Sequence, residues 1–474
     1  MQKNAENEVR GLKNKLLRIV LVILATAVFA AVTSCGPAKE QQDGSLPEDY
    51  VPEVGGKIRL TCRQDVYPND TTRSAVRNWV NWFISQNPNV SVETVFNVPD
   101  YSSLIASKTL GDVFWLADDQ VYKFAVSDEA LMPLDYYVEA FGIDLSDVYA
   151  GIHELAVVNG KLFFATACTS IINFVYNVDL LVEAGALQKG EKIPNDWTWD
   201  DFKRYCEALK RYDEDGVTLT QTGAMFPFNW SPTLVPNLYG FGGQWVDKVN
   251  HRVNFTDDKV KQGVAEMIYL LENRLAYPAF ISMGSEMRKE YGKLTENSIE
   301  KYGFVYCTCY TTLPQRADVY NKAGIEWDSI AWPTYEYKGS PTGALGFGVF
   351  SYTRNRDTAA AMVLSLYTEE GQRALHSQVG GDVPVLQKLA ENEDFWHLDM
   401  RSDGYDGKNY QACTSNYDRF VPCQIAAVVP PELVSIITDG LTNLYTAYCK
   451  NQTSWQDKLA EIETQCNDLW STLD

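Results

Sequence analysis

The sequence predicts an α/β protein of two lobes, and three observations predict it. At 474 residues, 45% of them hydrophobic and 22% charged, the chain exceeds what one core of about 250 to 300 residues accommodates. From Lys57 onward, short apolar strands alternate with amphipathic helices, the pattern of a parallel sheet with right-handed crossovers. Finally, the stretch 159–181, NGKLFFATACTSIINFVYNVDLL, is rich in β-formers without a helix-length break, so it reads as a strand that changes company halfway between two lobes.

The first 34 residues stand apart from the fold. Lys13, Lys15 and Arg18 precede an apolar run over 19–31, too short for a transmembrane helix but suited to a signal peptide. The run ends in Val32-Thr33-Ser34-Cys35-Gly36, which resembles a bacterial lipoprotein lipobox. That resemblance implies a signal peptide over 1–34 and a lipidated Cys35. Residues 35–56, with Gly, Pro, Gln and acids, then form a flexible tether.

Beyond the tether the elements follow in order. Lys57–Cys62 alternates as a strand. Thr72–Ser85 is a helix with Val76, Trp79, Val80 and Phe83 inward, and Val90–Phe96 is the next strand. Tyr101–Thr109 is helical, and Gly111–Leu116 is a short buried strand ending at Ala117-Asp118-Asp119. After the crossing strand, Thr198 caps a helix to Lys210, with Asp200 and Asp201 in its positive first turn. Asp213 to Gly216 is an Asx turn, its glycine misplaced for an EF-hand. Phe255–Asn273 is a helix capped by Thr256 or Asp257, and Gly303–Thr311 is a buried strand. Trp327–Pro333 and Thr342–Tyr352 are extended, Asp357 caps an Ala-rich helix, Pro422–Pro431 is a loop, and two helices close the chain.

The order Gly-Lys, strand, Tyr176-Asn177-x-Asp179-Leu180, Ala184-Gly185, Thr198-Trp199-Asp200-Asp201-Phe202 resembles the family 1 extracellular solute-binding proteins, the maltose-binding-like receptors of ABC importers. Thr368-x-Glu370-Gly371-Gln372 and Gly380-Gly381-Asp382-Val383-Pro384 extend the resemblance to about Gln387. It implies a periplasmic-binding-protein-like fold whose lobes, 57–167 plus 348–381 and 172–343 plus 385–474, are joined by three hinge crossings. It also implies an importer lipoprotein that captures a sugar and delivers it to ABC permease subunits, held at the extracytoplasmic face of the cell membrane through its lipid. A monomer without cofactor is expected. The departures are Cys168 at the hinge, Cys307-Thr308-Cys309 where relatives carry Gly-x-Trp, and the long 388–431 segment.

Composition narrows the alternatives. The formal charge is −21, and −24 without residues 1–34, which argues against nucleic acid and against anionic lipid at the protein surface. Four histidines and no HExxH pattern argue against a transition-metal site. Of ten cysteines, nine remain besides Cys35; most read as buried thiols, and Cys413 with Cys423 is the one pairing worth testing.

A sugar needs forked polar groups beside aromatic plates, and in open parallel sheets ligands sit at strand carboxyl ends. Trp115 with Asp118 and Asp119 supplies that combination after the third strand; the alternative is a core tryptophan and two helix-capping aspartates. Asp65 holds the same position after the first strand. Trp230 and Tyr310 of the second lobe are candidates to stack on the other sugar face, core packing being nearly as good a reading. Ser170 in the crossing and Asp382 at the third crossing are the weaker candidates. Two other functions stay open: a surface glycan-binding lipoprotein with no importer, and a glycoside hydrolase using a carboxylate pair. So do amino-acid, polyamine or metal ligands, although 27 tyrosines and 12 tryptophans favour carbohydrate.

Overall fold

The computed structural model describes residues 50–474 apart from 68–69, 309–312, 338, 377–382, 393–394, 396–406, 416–419, 453 and 474. Its strands are β1 (Gly56–Arg63), β2 (Val90–Val98), β3 (Val113–Ala117), β4 (Ala165–Asn177), β5 (Leu219–Pro227), β6 (Ala276–Ala279), β7 (Tyr302–Thr308), β8 (Trp327–Ala331), β9 (Ser340–Val349), β10 (Val383–Pro384) and β11 (Phe420–Pro422). The helices that matter for the site are α1 (Asp70–Gln86), α2 (Asp118–Tyr122), α3 (Trp199–Leu209), α4 (Ser231–Tyr239), α5 (Asp258–Glu272), α6 (Leu313–Ala323), α7 (Arg356–Leu364), α8 (Glu369–Leu375), α9 (Pro431–Cys449) and α10 (Trp455–Trp470).

The architecture is α/β and two-lobed, and β4 is its seam. From Ala165 to Ile171 the strand pairs with β9, whereas from Ile172 to Asn177 it pairs with β7 on one side and β8 on the other, all antiparallel. The change of partner falls between two adjacent residues. Toward the amino-terminal half the order continues β4-β9-β3-β1-β2, with β1 parallel to both β2 and β3. Toward the other half it continues β4-β7-β5-β6, with β5 parallel to its two neighbours. Alternation of strand and helix therefore produced the parallel pairs that the pattern requires.

The halves have separate cores. One cluster begins at Ile172, runs through Phe174, Phe202, Phe226, Phe304 and Trp332, resumes at Ile425 and closes with α9 and α10. In the other half α1 buries Val76, Trp79, Val80 and Phe83, as its periodicity predicts. The Trp79 ring lies 4.8 Å from Phe347 of β9, and its Nε1 donates to Ser365 Oγ at 3.0 Å, which ties α1 to the segment after α7. Trp197, Trp199 and Trp245 are buried packing residues as well.

Caps match the sequence signals with one exception. Thr198 and Asp201 form a capping box on α3, Asp257 caps α5 and Thr368 caps α8. Asp357, expected as the cap of α7, is its second residue behind Asn355. Its carboxylate instead accepts from the Glu53 N–H at 2.8 Å and the Tyr137 hydroxyl at 2.9 Å, so long-range partners claimed it. The Asx turn holds, with Asp215 Oδ1 accepting from the Val217 and Thr218 N–H groups. Beyond β10, the Leu386 bridge to Val148 and the Gln387 N–H to the Asp147 carbonyl keep 385–392 against the amino-terminal half, where the sequence reading sent it across.

Between Leu345 and Gly346 the β4–β9 register slips, because Cys168 faces Leu345 while Thr166 faces Gly346 and Ala167 is left over. A β-carbon at Gly346 would lie 2.1 Å from the Ala165 carbonyl oxygen and 2.9 Å from the Ala167 nitrogen, both rigid backbone. Gly346→Ala is accordingly expected to destabilise the fold by roughly 2–3 kcal/mol. Urea denaturation measures it, and an unchanged midpoint would remove the close approach from the account.

Candidate functional site

The registers show where the strand ends point. β3 sets its carboxyl-terminal Ala117 opposite Leu345, close to the seam, and its first residue Val113 opposite Val349, away from it. In the other half β7 sets its last residue Thr308 opposite Ile172 and Phe304 opposite Tyr176. The carboxyl ends of parallel strands in both halves therefore face the seam, which is where α/β sheets place ligands.

Around it, β1 ends in Arg63 and the loop that follows supplies Asp65. Asp65 is exposed and accepts from Arg63 Nε at 3.0 Å, and this bond is the main cause that raises the guanidinium pKa. Trp115 in β3 is 6% exposed and meets Tyr67 edge-on, ring centroids 6.3 Å apart at 89°. It is thus a packed residue in this conformation.

Asp118 opens α2 and is 3% exposed. Burial, followed by the adjacent Asp119, holds its carboxyl well above the usual carboxylate range, against the backbone N–H groups of Ala344, Asp119 and Asp118. Its Oδ2 has no hydrogen-bond partner. Burial also raises Asp119, opposed by Arg63. Ser170 is half-buried in the seam opposite Gly343, whose β-carbon, were there one, would sit 3.7 and 3.9 Å from the Asp118 oxygens.

What buries Asp118 comes from far along the chain. β11 pairs in parallel with Ser340–Thr342 of β9, the Cys423 N–H donates to the Thr342 carbonyl at 3.2 Å, and the turn Ile425–Ala427 packs on α2. Ser231 Oγ at the start of α4 bonds Gln424 Oε1 at 3.0 Å, so this strap touches both halves. Pro422–Pro431 was legible as a loop; its landing place carried no local signal.

In the second half, Trp230 precedes α4, half-buried, with its ring 5.6 Å from that of Tyr306 in β7. The Arg316 guanidinium lies over the same Tyr306 ring at 5.3 Å. Sequence reasoning missed Tyr306 and Arg316, although alternation in β7 and the first turn of the following helix mark a strand end. Tyr310, Asp382 and Cys35 lie outside the described residues. The proposed Cys413–Cys423 pair is corrected: Cys413 is disulfide-bonded, but Cys423 is a buried free thiol beside Asp118. Cys413 Sγ instead faces Asn173 Nδ2 of β4 at 3.7 Å. Among the described residues no group of three or more His, Cys, Asp or Glu could hold a metal ion, and no helix is long and apolar enough to cross a membrane.

The burial of Asp118 has a measurable sign. Unfolded, its carboxyl titrates near ~3.9, while the folded pKa lies well above, so stability falls as pH rises from about 4 through the folded value. Asparagine lacks that slope. The melting temperature of Asp118→Asn relative to the parent is expected to climb between about pH 4 and pH 8, and a difference flat with pH would show the carboxyl to be ordinary.

Comparison with known proteins follows the geometry. The chain resembles solved structures over 88% of its length: the sugar-binding protein MalE from Xanthomonas citri (TM-score 0.67, 15% identity, 98% of that chain covered) and an ABC substrate-binding protein from Listeria monocytogenes in complex with cycloalternan (TM-score 0.64, 15% identity, 99% covered). UgpB from Mycobacterium tuberculosis, in complex with glycerophosphocholine, has a TM-score of 0.63, 17% identity and 99% coverage, again over 88% of this chain. No curated protein matches in sequence. The profile of the bacterial extracellular solute-binding proteins matches residues 79–400, well over half of the chain, so the protein belongs to that family of non-enzymatic binding proteins.

Proposed function

We propose that this is the substrate-binding lipoprotein of an ABC importer, which captures a sugar or oligosaccharide between its lobes and hands it to a membrane permease. One observation carries the reading: strand carboxyl ends of both sheets converge on the seam, and there Asp118 keeps a buried oxygen with no partner. A native protein rarely leaves such an atom unpaired unless something else supplies the donor. A sugar hydroxyl is a donor of the right kind, and Asp65, Asp119 and Ser170 offer further acceptors around it. Trp115 and Trp230 provide apolar plates from opposite lobes, with Tyr310 and Asp382 as further contacts. For a hydroxyl to reach Asp118, the turn Ile425–Ala427 has to lift from α2.

The first lobe is assigned 57–167 and 348–392, the second 172–343 and 407–474. Closure turns on the seam near Thr169, Gly346 and Val383, and a ligand drives it only by binding the closed form better. Lipidation of Cys35 anchors the protein at the outer face of the membrane, reached through the tether 36–56. Cys35→Ala is expected to release the protein to the medium or leave it unprocessed; unchanged membrane fractionation would argue against the anchor.

A thermal-shift screen of mono- and oligosaccharides identifies the ligand, since binding only to the folded state raises stability. Calorimetric titration then tests the site. Trp115→Ala should weaken binding by about 30- to 150-fold, on the order of 2–3 kcal/mol. Asp118→Asn, which keeps one acceptor oxygen, should cost about 1–2 kcal/mol. Wild-type affinity in Trp115→Ala, or its failure to fold at 25 °C, would assign Trp115 to the core alone.

A further inference from the structure

Resting on the carbohydrate reading above, we infer that the sugar is anionic, a ring carboxylate as in a uronic acid, and that Arg316 receives it. α6 begins at Leu313, five residues after β7 ends at Thr308, so its first turn lies at the carboxyl edge of the second sheet. Arg316 is in that turn, its guanidinium 5.3 Å from the Tyr306 centroid, and Tyr306 in turn borders Trp230. Its Nε is buried with no hydrogen-bond partner, and among the described residues no carboxylate pairs with it.

Among the described residues no other guanidinium nitrogen is buried without a hydrogen-bond partner, in a chain where acidic residues outnumber basic ones 62 to 41. A cation in a first helical turn is also disfavoured, because the helix amino terminus is itself positive. Cation–π contact with Tyr306 offsets part of the charge but leaves the Nε–H unanswered. A carboxylate answers it best, since the guanidinium fork binds that group through two parallel charge-assisted bonds, where a hydroxyl accepts a single weaker one and an ammonium accepts none. The aromatic neighbours Tyr306 and Trp230 then take the C–H face of the same ring. Across the seam, Asp118 and Asp119 offer acceptors to hydroxyls, and the guanidinium beside them, Arg63, is already engaged by Asp65, so the ligand has one orientation: hydroxyls toward α2, acid toward α6.

The test uses the full chain with oligogalacturonates and glucuronate-ended disaccharides, each against its neutral counterpart, and with glucose 6-phosphate as the phosphate arm. The expected result is binding of a uronate about tenfold or more tighter than its neutral form, with the margin shrinking as salt rises. Arg316→Gln should abolish that margin and leave the neutral sugar within about threefold of wild type, with Arg316→Lys between. Equal or better binding of the neutral sugar, or uronate binding unchanged in Arg316→Gln, overturns the inference while the carbohydrate reading stands. Tighter binding of the sugar phosphate overturns the carboxylate assignment, and no shift with any sugar overturns both readings. Should Arg316→Gln melt early, the wild-type ratio and Arg316→Lys still decide.

Discussion

The carbonyl of Ala167 is the point on which the two halves depend. The bulge in β4 leaves this residue without a ladder partner, at a place sealed from water. Its oxygen accepts from Gln372 Nε2 at 2.8 Å, with His376 Nε2 at 3.2 Å. Gln372 is itself fully buried, and its own oxygen takes the Val385 N–H at 3.0 Å, so one side chain fastens α8, the bulge and the chain leaving β10 together. Burial holds His376 down to about 4, so near neutral pH the ring is uncharged and adds a bond without adding a buried charge. Tyr367 completes the bolt, accepting from the Thr166 N–H at 3.0 Å and donating to the Phe164 carbonyl at 3.2 Å. The bulge is thus secured from three side chains, a few residues ahead of the point where β4 passes from one sheet to the other.

Electrostatics at the seam follow from this geometry. β9 passes beside Asp118 at Gly343, where a β-carbon would lie at ordinary contact distance from the carboxylate, and the strap from Cys423 to Ala427 closes the remaining side. Two neighbouring carboxyl groups then share a poorly solvated place with one guanidinium, Arg63, which is already engaged by Asp65. The outcome is a carboxyl pushed above its ordinary range by burial and by its acidic neighbour, at the point where the proposed ligand would bring a donor. Its Oδ2 has no hydrogen-bond partner and is free to accept from a hydroxyl.

Most of the fold was legible because its signals are local. Period-two and helical patterning located β1, α1, β2, β3 and α3, and Thr198 and Asp257 announced their helices by cap chemistry. Even the change of partner in β4 showed in sequence, as small polar residues between two apolar runs. The site was less legible, for reasons equally physical. Asp118 and Asp119 were placed at a strand end by pattern alone, but their burial comes from residues about 300 positions away, which no local period reports. Trp115 illustrates the same limit: position in β3 predicts nearness to the seam, whereas packing against Tyr67 decides how much of its ring is open. Asp357 failed as a cap because Tyr137 and Glu53 compete for its carboxylate from outside the helix.

The distribution of polar groups across the seam bears on how recognition and closure are coupled. Acceptors with raised pKa values collect on α2, while the unpaired guanidinium sits on α6 in the other half. A ligand that satisfies only one side leaves the other side's cost in place and has no reason to prefer the closed arrangement. A ligand with hydroxyls at one end and an acid at the other removes both costs, but only when the halves come together around it. Under the proposed closure, the same unpaired atoms would thus select the ligand and set the direction of the hinge, with the bolted Ala167 bulge close to its pivot.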